Sequence, residues 1–120
     1  MGSPVFEFQK DNDKEQRIRD SSKIKQKYPN RVPMIVERHP TSKIEDIDKH
    51  KFLVPDDITV AQFMWIIRKR IHLAQEKGLF LFVNNTMPQA SCTIGVLYKD
   101  YKDEDGFLYV HYSGENSFGN

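Results

Sequence analysis

KFLVPDDITVAQFMWIIRKRIHLAQEKG, residues 51–78, carries two backbone signals of different period within one short run. KFLVP (51–55) is dense in strand-favouring residues and closes on a proline, which cannot donate to a sheet ladder. It reads as a strand stopped by Pro55. Beyond it, Val60, Met64, Ile67, Ile71 and Ala74 recur at spacings of three and four, the period of a helix with one apolar face. Asp57 and Thr59 are the candidate N-caps, since their side-chain oxygens can accept from the unpaired N–H groups of a first turn. Gly78 is the expected stop.

Working outward, RVPMIVER (31–38) has the β-branched density of another strand, although Pro33 argues against a central place in a sheet. Downstream, LFLFV (79–83) reads as a buried strand, NNTMP (84–88) as a turn, CTIGVLYKDY (92–101) as a short helical or irregular stretch, and FLYVHY (107–112) as the last strand. Upstream, residues 4–27 are polar, with helix formers in DKEQRIRDSSKIKQK (13–27); one or two helices are expected there, with Ile18 and Ile24 as sparse apolar contacts. Tyr28-Pro29 ends that region. Two strands, a helix crossing a sheet, and two more strands make an α+β protein of β-grasp type behind a helical arm. The expected division is an arm over 1–29, a core over 30–113 and a tail over 114–120, one domain overall.

The totals agree with one domain: 120 residues, 38% hydrophobic and 29% charged. No apolar run approaches the ~20 residues of a membrane span, and the N-terminus lacks a signal-peptide pattern, so a cytoplasmic location is expected. Cys92 is the single cysteine, which rules out an internal disulfide. A net charge of +1 conceals an asymmetry. Residues 17–31 hold six cations against Asp20, a balance of +5, whereas residues 100–115 hold five acids against Lys102, a balance of −4. Such segregation points to partner surfaces of both signs.

The helix beginning at Val60 has more oil than a sheet needs. Phe63, Trp65 and Ile66 add apolar surface turned away from the stripe's centre, and in KFLVP Leu53 lies on one face with Phe52 and Val54 on the other. Either the N-terminal arm covers this excess, or a partner peptide adds a strand to the edge at 51–54 and drops alternate side chains into flanking pockets. Lys51, Arg31 and Arg70 would rim such pockets and favour acidic partners.

Enzyme readings are weaker. Cys92, His111 and Asp100 invite a thiol-hydrolase hypothesis, but nothing near Cys92 would lower its pKa. His39, His50, His72 and His111 show no metal-ligand spacing. The basic run would also suit a non-conjugated adaptor binding microtubules or other polyanions, an attraction that salt would abolish.

KYPNRVPMIVER, KFLVP, ITVAQFMWIIRKRIHL, LFLFVNNTMP and DEDGFLYVHYSGENSFG together resemble the ubiquitin-like autophagy modifiers, the GABA-A-receptor-associated-protein and microtubule-associated-protein light-chain family. The resemblance runs from about Phe6 to Gly119. It implies a ubiquitin-like β-grasp with a four-stranded mixed sheet, a central crossing helix and two additional N-terminal helices. It also implies a monomeric modifier rather than an enzyme, without cofactor or nucleic-acid partner. A processing cysteine protease would cleave after Gly119 and remove Asn120. E1-like and E2-like enzymes would then pass the glycine carboxyl, activated with ATP, to phosphatidylethanolamine on the autophagosomal membrane. Receptors with an aromatic-x-x-aliphatic motif would dock by strand addition. By the same resemblance the aromatic pocket would use Ile24, Pro33, Ile35, Lys51, Leu53 and Phe107, the aliphatic pocket Phe52, Val54, Pro55, Ile58, Phe63 and Ile66, and acidic partner residues would meet Arg31, Lys51 and Arg70.

The closing YSGENSFGN (112–120) then makes chemical sense. An enzyme that draws a tail into a narrow cleft needs low local stability and no side chain at the reacting carbonyl. Gly119 supplies the bare Cα, and Phe118 can anchor the approach.

Overall fold

The computed structural model describes residues 5–116. The chain runs α1 (Glu7–Asp11), α2 (Lys14–Lys27), β1 (Arg31–Arg38), β2 (Lys51–Pro55), α3 (Val60–Arg70), β3 (Phe80–Phe82), α4 (Ile94–Tyr101) and β4 (Leu108–Ser113). The strands form one mixed sheet in the order β2-β1-β4-β3, with β1 parallel to β4 and the other two pairs antiparallel. This is the β-grasp arrangement expected from the order of the elements.

Alternation along the strands divides the core in two. Val32, Met34 and Val36 of β1 join Phe52 and Val54 of β2 against Val60, Phe63 and Ile67 of α3. On the other face Ile35, Phe107 and Tyr109 lie under Phe6, Phe8 and Ile24 of the arm. Both faces are covered, which is why RVPMIVER is apolar without alternating.

Pro33 departs from expectation, because β1 is central. The Val36 N–H donates to the His50 carbonyl at 2.8 Å, so even-numbered residues of β1 bond toward β2 and odd-numbered ones toward β4. The register with β4 begins at Met34. Proline's missing N–H thus falls one step before that ladder starts and costs it nothing.

The helix α3 is shorter than its apolar period suggests. Thr59, not Asp57, caps it: its hydroxyl accepts from the Gln62 N–H at 3.2 Å, while the Gln62 carbonyl accepts from the Thr59 N–H at 2.8 Å, a reciprocal capping box. It ends at Arg70, well short of Gly78, and Ala74 lies outside it. There His72 takes a positive φ of 55° and Leu73 N–H turns back to the Arg68 carbonyl. The Arg68 guanidinium donates to the Ala74 and Lys77 carbonyls, gathering the following loop. Phe63 is also corrected. It does not face outward but is fully buried, edge-on to Phe52 at 5.6 Å.

In the arm, Asp13 caps α2 by accepting from the Gln16 N–H at 2.9 Å. Glu37 reaches from β1 to accept from the N–H groups of Glu7 and Phe8, satisfying the first turn of α1. Ile18, expected to be an anchor, is exposed; Phe6 and Phe8 take that role beside Ile24.

Candidate functional site

Strand β2 is an edge, and the hydrogen-bond pattern fixes what it offers. Its pairs with β1 alternate so that Phe52 and Val54 bond inward, as His50 and Asp56 do at either end. Lys51 and Leu53 therefore point both N–H and C=O away from the sheet. Pro55, next in phase, offers a carbonyl alone.

The flanks of this edge differ in depth. On the arm side, Lys51 is exposed and Leu53 and Ile24 half-buried, above buried Pro33, Ile35 and Phe107. On the α3 side, Pro55 and Ile66 are exposed and Ile58 is half-buried, whereas Phe52, Val54 and Phe63 belong to the main core. Ile24 packs with Ile35 and Phe107, and Ile58 packs with Phe52, Val54 and Phe63.

Each of the three rim cations already has an internal partner. Arg31 crosses β2 to donate to the outward Leu53 carbonyl at 3.2 Å, Lys51 lies 3.9 Å from Asp20, and Arg70 lies 2.9 Å from Asp48. Exposed contacts of this kind stabilise little and exchange readily for an incoming carboxylate.

Beneath the rim, one buried carboxylate pins the arm to the sheet. Asp105 takes the Arg17 Nε–H at 2.8 Å, the Tyr109 hydroxyl and the Phe107 N–H, while its carbonyl accepts from the Ser21 hydroxyl. Burial, and then the bond to Asp105, raises the Tyr109 pKa and keeps the phenol neutral. Gly106, at φ 92°, lets α2 close on this loop, because a Cβ there would run into the Ser21 hydroxyl. Lys14 pairs with Glu104 at 2.8 Å as well. The basic first quarter and acidic last quarter thus meet each other in part, which corrects the expectation that both charges serve partners. Sequence reasoning missed Asp105, Phe6 and Phe8; the only local signal was the FEF spacing at 6–8.

Deeper in the arm interface, the Phe6 ring stacks on His111 at 3.9 Å and 7°. Burial, aided by neighbouring His39, pushes the His111 pKa down to about 4. The thiol-hydrolase reading finds no support here: His111 is held under Phe6, and the Cys92 thiol donates to the Thr93 carbonyl.

The end of β4 is seated separately. Gly114 N–H donates to the Ser42 hydroxyl at 3.1 Å, and its Cα passes so close to Ile44 that a Cβ would be crowded. Phe118, Gly119 and Asn120 lie outside the described residues.

A β-grasp sheet with one crossing helix on one face and a two-helix arm on the other defines a ubiquitin-like protein with an N-terminal extension. Comparison with known proteins narrows the class. Residues 16–119 match the family model described as "Autophagy protein Atg8 ubiquitin like". The chain is 52% identical over 112 residues to autophagy-related protein 8a of Arabidopsis thaliana, covering 93% of this chain and 92% of that protein. The crystal structure of Trypanosoma brucei ATG8 superposes with a TM-score of 0.90 at 41% identity, covering 97% of this chain and all of that one. Plasmodium falciparum Atg8, solved in complex with a Plasmodium falciparum Atg3 peptide, superposes with a TM-score of 0.83 at 38% identity, covering 93% and 97%. The chain belongs to the Atg8 family of ubiquitin-like autophagy proteins.

Proposed function

We propose that this protein is a conjugated modifier whose two working parts are the C-terminal glycine and the β2 edge. After removal of Asn120, the Gly119 carboxyl is activated by an E1-like enzyme, carried by an E2-like enzyme and joined to the amine of phosphatidylethanolamine on autophagosomal membranes. The tail (114–120) serves as the conjugation segment, the arm (1–29) and core (30–113) as its carrier. The protein then moves between cytoplasm and membrane and recruits receptors there.

The observation that carries the receptor half is the β2 edge, where Lys51 and Leu53 turn their backbone groups outward. A peptide strand laid there gains main-chain bonds, and its alternate side chains fall to opposite flanks. An aromatic residue goes toward Ile24, Pro33, Ile35, Lys51, Leu53 and Phe107. An aliphatic one goes toward Pro55, Ile58 and Ile66, with Phe52, Val54 and Phe63 behind them. Carboxylates beside the motif exchange with the internal partners of Arg31, Lys51 and Arg70. The Atg3 peptide bound to the Plasmodium relative supports an extended-peptide site in this family.

Intact mass tests the tail. Incubation with the family's processing protease should remove one asparagine, and E1-like and E2-like enzymes with ATP and phosphatidylethanolamine liposomes should then add one lipid. Gly119→Ala should abolish both. An unchanged mass of the unaltered chain contradicts the proposal.

A further inference from the structure

Two recesses beside α3 share one wall. The first, about 420 Å³, surrounds Gly114 and Glu115, where the chain leaves β4, and includes Lys43, Lys77, His72 and Leu73. The second, about 410 Å³, reuses His72 and Leu73 and continues along α3 to Trp65, Arg68 and Lys69 without an acid in its lining. Trp65 is the chain's single tryptophan and is 57% exposed, with Lys69 Nζ 5.8 Å from its ring centroid. An amphipathic ring held out of the core among cations suits a boundary between an apolar phase and a charged one. The shelf is also rigid, because Arg68 clasps the carbonyls of Ala74 and Lys77.

We propose that this shelf is the surface the protein lays on an anionic bilayer once its C-terminus is anchored there, with Trp65 at headgroup depth and Lys69, Arg68 and His72 over anionic lipid. The inference rests on the lipid attachment proposed above and adds the orientation of the attached protein. Five residues separate Gly114 from Gly119, a span of at most ~17 Å. An anchored glycine therefore holds the exit recess near the headgroups, and the shelf starts at that recess's own wall. Glu45 and Glu115 sit in the exit recess and are repelled by an anionic surface, which tips the contact toward the acid-free Trp65 end. Tryptophan is favoured at membrane–water interfaces for its apolar body and polar N–H, and cations beside it gain from anionic headgroups.

Trp65 is its own probe. The full chain carrying Cys92→Ser and Asn120→Cys is coupled through residue 120 to maleimide lipid in vesicles of brominated phosphatidylcholine with phosphatidylserine, so no conjugating enzyme is needed. On coupling, Trp65 emission should shift to the blue and lose roughly half its intensity, since a ring at the headgroup–acyl boundary lies within roughly 5–10 Å of the brominated segments. Lys69→Glu, at an exposed position, should reverse most of the shift while leaving the emission of the uncoupled chain unchanged. Coupled emission identical to that of the free chain overturns the inference. So does a Lys69→Glu variant that slows enzymatic attachment while coupled Trp65 stays solvent-like, a result that assigns the shelf to a conjugating enzyme. Failure of the lipid reading itself shows separately, in the mass experiment.

Discussion

β2 and β3 are the two edges of one sheet, and they meet solvent in opposite ways. β3 has three residues, and since His39 N–H donates to the Tyr112 carbonyl, odd-numbered residues of β4 bond to β3. Phe80 and Phe82 are thereby paired inward, and Leu81 alone turns its backbone outward. The chain then folds back at once, Val83 and Thr86 exchanging bonds of 2.8 and 3.0 Å. A short edge that closes on itself gives another strand little to pair with. β2 has five residues, two outward amides, apolar flanks on both sides and three cations at its rim. One sheet thus carries a blunted edge and a receptive one, and what separates them is length and what stands beside them.

The comparison breaks most severely if β2 loses its backing. Phe63→Ala should destabilise the protein by about 3–5 kcal/mol in denaturant unfolding, because a fully buried ring is removed from against Phe52. A loss under about 1 kcal/mol would place Phe63 in the groove rather than the core.

Acid should open the arm-side flank of β2 next. His111 is neutral when buried, with a pKa of about 4 against an ordinary 6.5. The undocked ring binds a proton that the docked one does not, so docking is at full strength above pH 6.5 and weakens as pH falls from 6.5 to about 4. The loss should reach about 3 kcal/mol, levelling off below pH 4. His39, also lowered by burial, adds to the same slope, while Glu37 loses its hold on α1 when protonated. His111→Phe keeps a ring beneath Phe6 and should flatten most of the slope in pH-resolved thermal unfolding.

How much of this was legible in the residues follows the range of each interaction. The strands were readable because β-branched density and proline stops are local properties. The end of α3 was not, since Ile71 continues the helical period and the stop depends on Arg68 reaching carbonyls six and nine residues away. Pro33 misled because the start of the β4 ladder is set by a strand more than seventy residues downstream. Phe63 misled because a turn of helix does not say how broadly a twisted sheet curves around it. Asp105 was read as part of an acidic run, although its partner Arg17 is 88 residues away in the chain. The rim residues of the β2 edge came through resemblance; their internal partners required the fold.

Leu53→Ala should weaken an aromatic-x-x-aliphatic peptide by about 1–2 kcal/mol through lost apolar contact, whereas Phe80→Ala on the opposite edge should leave affinity unchanged in calorimetry. Equal losses from the two would erase the distinction between edges. The smallest effect belongs to Arg31. Arg31→Ala should cost a peptide with a flanking carboxylate about 0.2–1 kcal/mol at low salt, and the difference should fade as salt rises.

Amide hydrogen exchange at single-residue resolution, with and without such a peptide, tests the receptive edge most directly. Strand addition predicts that the Lys51 and Leu53 amides, open in the free protein, become protected while Leu81 on β3 exchanges as before. Bound peptide with Leu53 still exchanging at its free rate would contradict the account.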